Sequence, residues 1–510
     1  MNAAHKTILA CWCGGQCPHM PPIRELTKTN PDRPRIIETA LKTILLEAPD
    51  CPEAHRALAW HYNARNHAAA AAEHLERARA VTGLTAPLSI EITNTLRNAA
   101  RVPAAIKAGR RAVALNPDNV QAFVALASAL QADGQLAEAQ SIVEEAERKF
   151  ARTIATRRLA AVLLSDAKDY AGAIARLSAE DLMPIEYFDR GRCHESLGHY
   201  AEAWRDWMAG KRIQREQQGM IYPQETMGRR FAYLAEMARP ARASRLPRLA
   251  EPGARPWPIF ITGFPRSGTT MTEAALAAHP DIAAGDELPF LPELIERLPA
   301  WTGSRAPFPH NLMSLSLPEN AGVPELARDF YLRQSVHKIG IDGEKYFTDK
   351  MCSNEHHLLL IRNLFPGARI VHVRRHPLDI IVSNMSHHLI HGAYNACSLE
   401  WCATHYAATD ALVAHYKRQL PDLPLIEIRY ESFVADHYKH IDSMLPADLA
   451  PSPACYDFHL SKFHSRTISY RQIKQPVNDR SIGRYKPFLE FLRPIVPVIQ
   501  ATLDREGYQL

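Results

Sequence analysis

Pro258-Ile-Phe-Ile-Thr-Gly-Phe-Pro-Arg-Ser-Gly-Thr-Thr270 reads as an apolar strand, a glycine-containing loop and the start of a helix. A loop of this kind turns backbone N–H groups and the positive end of a helix dipole toward one point, which makes a site for an oxyanion. Gly263 and Gly268 keep the G-x4-G spacing of nucleotide-triphosphate loops, but Thr269 stands where those loops carry lysine, and Arg266 inside the loop supplies the cation instead. The missing lysine argues against a kinase or NTPase.

Outward from this loop, short apolar runs (Pro258–Thr262, Arg369–Val373, Leu425–Ile428) alternate with helical patterns (Thr272–Ala278, Asn354–Phe365, Leu378–Ile390). That alternation predicts an α/β domain over 258–510 with a mostly parallel sheet. Upstream, Arg239–Pro258 is rich in Pro, Arg and Ala and reads as a linker over 239–257.

The first half of the chain repeats itself. Segments starting at Ala68, Val102, Leu136 and Tyr170 follow one another at 34-residue intervals, Tyr200 comes 30 later, and Asn66, Gly134, Lys168 and Gly198 stand two positions ahead of their segments. The turns Ala48-Pro49-Asp50 and Asn116-Pro117-Asp118 lie 68 residues apart, twice that interval. Small residues where two helices cross, with Leu126, Leu130, Ile142 and Val143 as a buried stripe, resemble the tetratricopeptide family. Residues 35–238 are therefore expected to form an α-solenoid and residues 1–34 a flexible tail. The repeats alone leave a peptide-binding groove, a rigid spacer and a homodimer surface open.

Composition bounds the rest. The 510 residues exceed one ordinary domain, 46% are apolar, and the net charge of +5 is too mild for a dedicated nucleic-acid binder while allowing a local basic pocket. Nine cysteines in no paired spacing point to reduced thiols and a cytoplasmic location, with no membrane-spanning stretch. Cys11, Cys13, Cys17 and His19 lack paired zinc-knuckle spacing, and no metal is expected.

The loop sequence Pro265-Arg-Ser-Gly-Thr-Thr270 after an apolar strand resembles the 5′-phosphosulfate loop of sulfotransferases that use 3′-phosphoadenosine 5′-phosphosulfate (PAPS). The resemblance implies that Arg266, Ser267, Gly268, Thr269 and Thr270 bind the donor. Arg375 and Ser383, eight residues apart in Arg369–Ser383, match that family's 3′-phosphate pair, with Arg374 the alternative arginine and His376-Pro377-Leu378 departing from its usual Asp-Pro-Arg. Gly285-Asp286-Glu287 resembles the Gly-Glu-Glu segment of tyrosylprotein sulfotransferases, which makes Glu287 the general base. Thr348-Asp349-Lys350 resembles the segment whose lysine bridges the sulfuryl group, although Cys352 replaces a proline. Ser469, with Gln472 and Ile473, matches the serine over the cofactor, Ser481–Tyr485 with Gly483 and Arg484 the closing basic loop, and Tyr430 a cofactor-contacting tyrosine.

These matches imply transfer of a sulfuryl group from PAPS to an acceptor hydroxyl, with Arg266, Lys350, Ser469 and Glu287 catalytic. A phenol titrates near 10 and a carboxylate near about 4.3, so a glutamate base takes the proton as the new O–S bond forms. The tyrosylprotein likeness implies a tyrosine acceptor in a peptide or protein; a carbohydrate, lipid or small phenol, and a non-catalytic repeat adaptor, remain the alternatives. His387, His388 and His391 read as helix-surface residues near the cofactor.

Overall fold

The computed structural model describes residues 34–64, 68–99, 101–150, 153–251, 253, 256–389, 394–461 and 473–510. The expected tail over 1–34, with its Cys11, Cys13, Cys17 and His19, therefore lies outside the described residues except for Pro34. The chain divides into two compact units, Met1–Gly219 and Met220–Leu510.

In the first unit the 34-residue period is a period of helix pairs. After a helix at Pro34–Glu47 come Pro52–Ala64 with Ala68–Thr82, Ala86–Asn98 with Val102–Leu115, Val120–Ala132 with Leu136–Phe150, Ile154–Asp166 with Tyr170–Arg176, and Pro184–Ser196 with Tyr200–Gln218. The repeated segments of the sequence are thus the second helix of each pair. Ala71, Ala105, Ala139, Ala173 and Ala203, one per pair at equivalent positions, are each 0% exposed, because only a methyl group fits where two helix axes cross this closely. The turns ahead of three of these helices pass through the left-handed region at Gly134 (φ 83°), Lys168 (φ 65°) and Gly198 (φ 79°). The stripe of Leu126, Leu130 and Val143 is buried as expected, with Ile142 packed against it.

The second unit is built on a parallel sheet of five strands in the order β2-β3-β1-β4-β5. The strands are β1 Trp257–Thr262, β2 Ile282–Ala283, β3 Tyr346–Lys350, β4 Arg369–Arg374 and β5 Leu425–Arg429. Helices cover the sheet, so β1 and β3 are buried at every position. The three apolar runs of the sequence are β1, β4 and β5, while the helix expected over Asn354–Phe365 is a 3₁₀ turn, Cys352–His357, followed by a helix at Leu358–Leu364. Among the described residues no helix is long and apolar enough to cross a membrane.

The division between the units falls earlier than the expected linker. The helix Gln224–Met237, assigned from sequence to the repeats, contributes Phe231, Leu234 and Met237 to the same core as Ile259, Phe260 and Ile261 of β1. The Pro/Arg-rich stretch is a strap rather than a linker: Ala243, Leu246 and Leu249 are buried in that core, and the Leu249 N–H donates to Asn363 O at 3.0 Å. Prolines deny the stretch a regular ladder but do not prevent its apolar side chains from packing.

A fragment of residues 220–510 should melt as one cooperative unit, whereas 240–510 should melt at least about 10 °C lower. Burial of Phe231, Leu234 and Met237 is worth about 1.5–3 kcal/mol each, a large share of an ordinary domain's stability. Equal melting temperatures by circular dichroism would show that the helix does not belong to this unit.

Candidate active site

In a parallel sheet every strand delivers its following loop to the same edge, and ligands bind at those carboxyl ends. Here β1 ends in the loop Gly263–Gly268, β3 ends in Lys350, β4 is followed by Arg375, and β5 by Tyr430. The register places Ile261 opposite Lys350 and Thr262 opposite His372, so the loop lies between the lysine and the arginine.

The loop is tightly determined. Gly268 sits at φ 116°, and a Cβ there would come within 2.7 Å of the Tyr430 ring, so glycine is needed on both counts. Arg266 also adopts a left-handed backbone (φ 78°), and its Nε donates to Ser383 Oγ at 3.0 Å. The helix Thr269–Leu276 starts directly after Gly268, and Met271 and Thr272 are its first residues whose N–H groups bond back, both to Gly268 O. Ser267 Oγ is buried with no hydrogen-bond partner among the described residues, a donor held at the helix N-terminus.

Arg375 is 6% exposed and lies with its guanidinium 4.8 Å from the Tyr430 ring centroid. Its two terminal nitrogens donate to Arg266 O (3.2 Å) and to Ser481 O, while its Nε is buried without a partner among the described residues. Burial depresses this guanidinium from its usual range and Asp379 opposes the shift. Arg374 is set aside: its side chain is engaged by Asp410 (2.8 Å), Glu427 (3.1 Å) and Glu506 (2.6 Å). The His376 side chain accepts from the Leu378 N–H at 3.2 Å, so the departure from Asp-Pro-Arg still caps the helix Pro377–Met385.

Asp379, which the sequence did not single out, is 0% exposed and accepts from the N–H groups of Gly483 and Tyr485, both at 2.9 Å. It thereby ties the Ser481–Tyr485 segment to the helix bearing Ser383. Arg484 Nη2 donates to Ser386 Oγ at 3.0 Å, on the residue that ends the same helix. His387 is buried rather than on the helix surface, with Nε2 3.4 Å from Arg266 Nη2. Ser469, Gln472 and His391 lie outside the described residues, and Ile473 is buried.

On the other side of the loop Lys350 is 1% exposed, and its Nζ is 2.9 Å from both Asp286 Oδ1 and Glu287 Oε1. Burial alone would lower the lysine pKa; Asp286, Glu287 and Glu273 outweigh it and hold the ammonium charged. The Glu287 side chain is 40% exposed, so its carboxylate meets both the buried cation and solvent. Cys352 lies beside the loop, Sγ 3.8 Å from Thr269 Oγ1, and burial pushes its thiol up to about 12, so it is neutral.

Glu273 is the second residue the sequence did not single out. It projects from the helix after the loop and is 0% exposed, and its Oε1 accepts from the Asp286 N–H and from Thr348 Oγ1, both at 2.8 Å. Thr348 Oγ1 in turn accepts from the Gly285 N–H at 3.0 Å. A Cβ at Gly285 would lie 1.9 Å from Thr348 O, so the Gly285-Asp286-Glu287 turn is pressed against β3 and held there by two buried side chains. Asp286 takes a left-handed backbone (φ 55°), which directs its side chain and that of Glu287 to the same ammonium. Only an internal carboxyl one helical turn after Thr269 could have signalled Glu273 in the sequence.

Burial raises the Glu273 carboxyl from 4.5 to about 8, with Lys350 opposing. The folded state therefore binds this proton more firmly than the unfolded chain. The resulting stability is complete below the unfolded value and is lost as pH rises through about 8. Glu273→Gln should reduce the fall in unfolding free energy between pH 5.5 and 8 by the order of 1–3 kcal/mol. Urea titrations at the two pH values check this, and identical falls in variant and wild type would contradict it.

Residues 258–447 match the profile of the Sulfotransferase family. An uncharacterized protein of Aquifex aeolicus is 26% identical over 269 residues, 52% of this chain and 35% of its own length. Protein-tyrosine sulfotransferase 1 of Homo sapiens is 30% identical over 149 residues, 29% of this chain and 38% of its own. That of Danio rerio is 27% identical over 176 residues, 31% and 48%. The chain thus spans between about a third and a half of the length of these curated relatives. Among solved structures, a sulfotransferase domain from the curacin biosynthetic pathway aligns with 51% of this chain and 100% of its own at 16% identity and a TM-score of 0.34. A thermophilic TPR protein of Thermus thermophilus aligns with 32% of this chain and 91% of its own at 20% identity and a TM-score of 0.30. Residues 258–447, which match the Sulfotransferase family profile, carry the strand-end site, and an array of paired helices with a 34-residue period precedes them in the chain.

Proposed function

We propose that the second unit transfers a sulfuryl group from PAPS to an acceptor hydroxyl, and that the acceptor is a tyrosine of a peptide or protein. The observation that carries the reading is a pair of buried polar atoms without partners among the described residues, Ser267 Oγ in the loop and Arg375 Nε just after β4. Buried donors are rarely left unsatisfied, and these two flank a helix N-terminus that favours anions. They suit a ligand with two separated anionic groups, as a 5′-phosphosulfate and a 3′-phosphate are.

In this reading the N–H groups of the loop, Ser267, Thr269 and Thr270 hold the 5′ end of the donor. Arg375, Ser383, Gly483 and Arg484 hold the 3′-phosphate, and Tyr430 packs beside both the loop and Arg375. Arg266 and Lys350 neutralise charge on the oxygen that leaves sulfur, and Ser469 is assigned the same task from its sequence match. The acceptor oxygen forms its bond to sulfur as the bond from sulfur to the 5′-phosphate oxygen breaks, releasing adenosine 3′,5′-bisphosphate. The acceptor proton passes to Glu287, whose carboxylate is placed by Lys350 and open to solvent on its other side. The 27–30% identity to protein-tyrosine sulfotransferases supports tyrosine as the acceptor, and the repeats offer a surface for a protein partner.

Labelled sulfate should pass from PAPS to tyrosine-containing peptides, and not to sugars or simple phenols alone. Glu287→Ala should lower turnover at least about a thousandfold while leaving adenosine 3′,5′-bisphosphate binding within about threefold. Labelling of sugars or phenols only would remove the tyrosine assignment, and an active Glu287→Ala variant would remove the base.

A further inference from the structure

The helix Val496–Glu506 is closed by Gly507 at φ 68°, a backbone conformation that a side chain would strain. The Gly507 N–H bonds back to Asp504 O and that of Tyr508 to Leu503 O at 3.0 Å, the paired bonds that finish a helix on a left-handed glycine. This turn brings Tyr508 and Gln509 onto the residues that follow β4 and β5.

The contacts made there join three pieces of the proposed donor site. The Gln509 carbonyl accepts two hydrogen bonds, from His376 Nε2 at 2.9 Å and from the Tyr485 hydroxyl at 3.2 Å. His376 Nδ1 accepts from the Leu378 N–H, so the ring hydrogen stands on Nε2, where Gln509 receives it. The His376 ring lies flat on Tyr485, with centroids 4.3 Å apart and an interplanar angle of 14°, and meets Tyr508 edge-on at 4.9 Å. Glu431 bridges the rest: its Oε1 accepts from the His376 N–H at 2.8 Å and its Oε2 from the Tyr508 hydroxyl at 3.3 Å. The Arg429 guanidinium stacks 5.1 Å from the Tyr508 ring centroid.

Ser481–Tyr485 is a run of turns with no ladder to fix it, so its position depends on individual ties. Arg375 and Asp379 hold its backbone. Its Tyr485 side chain, 4% exposed, is held by His376 and Gln509. We infer that Gly507–Leu510 is a latch, with Tyr508 and Gln509 as positioning residues that fix Ser481–Tyr485 beside Arg375 and thereby set the affinity for a 3′-phosphate. The ligand half of this inference rests on the donor reading above; the latch itself does not. Tyr508, Gln509 and His376 act through Tyr485 and Glu431, with no contact to the donor assigned to them.

The test compares wild type, Tyr508→Ala, Tyr508→Phe and His376→Asn in the full-length chain. Asparagine still caps the Leu378 N–H but lacks the ring and the reach to Gln509. In the free protein, amides of residues 481–485 should exchange at least about tenfold faster in Tyr508→Ala and His376→Asn. By isothermal titration these two variants should bind adenosine 3′,5′-bisphosphate at least about fivefold more weakly than wild type, and adenosine 5′-phosphate within about twofold of it. Tyr508→Phe keeps the ring and should stay near wild type in both measurements. Wild-type exchange rates in Tyr508→Ala and His376→Asn would overturn the latch. Faster exchange with an unchanged preference for the bisphosphate, or equal weakening of both nucleotides, would overturn the positioning role. A wild type that binds both nucleotides equally would remove the donor reading and with it the ligand half, and exchange then decides the latch alone.

Discussion

A lysine ammonium closed off from water at the end of β3 is the constraint around which the site is organised. Moving an ion of this size into a protein interior costs several kcal/mol even after relaxation, so Lys350 is tolerable only with counter-charges in contact. Asp286 and Glu287 provide them, both at 2.9 Å. That requirement explains the otherwise costly features around it: the left-handed Asp286, the glycine pressed against β3, and a buried glutamate bonded to the turn's backbone. The same arrangement leaves one carboxylate, that of Glu287, partly facing solvent beside a fixed positive charge.

The opposite flank follows a parallel logic with the signs arranged for a phosphate. Arg375 is buried against Tyr430 and steadied by two carbonyl oxygens, and Asp379 balances it at 3.6 Å while holding the Ser481–Tyr485 segment in place. Arg374, one residue earlier, faces away and is consumed by three carboxylates. Strand alternation separates the two guanidiniums: adjacent residues at the end of β4 point to opposite sides, so one can serve a ligand and the other the packing of the helix Val496–Glu506.

Much of this was legible in the chain, and the failures share a cause. The helix pairs were visible because small residues recur at a fixed interval, and the loop because its glycines and Arg266 follow an apolar strand. β3 was not read as a strand because Thr348, Asp349 and Lys350 are polar yet at most 1% exposed. Each is bonded to a partner remote in sequence: Thr348 to Glu273, Asp349 Oδ2 to the Tyr331 hydroxyl at 2.6 Å, Lys350 to the Asp286-Glu287 turn. Local pattern cannot register partners that distant. The strap over 239–257 failed in the opposite direction, since its prolines signal a break whereas Leu246 and Leu249 pack in a core. Glu273 and Asp379 carry no motif, and their roles emerge only when backbone N–H groups from elsewhere in the chain reach them.

If the loop and the end of β4 form one site for a ligand with two anionic ends, the 3′-phosphate must be felt through Arg375. Isothermal titration of adenosine 3′,5′-bisphosphate and of adenosine 5′-phosphate into the wild-type chain and into Arg375→Met measures this. The wild type should prefer the bisphosphate by at least about tenfold, and the variant should lose this preference while still binding the monophosphate. Equal affinity of the wild type for both nucleotides, or a preference that survives in Arg375→Met, would show that the two flanks do not form one such site.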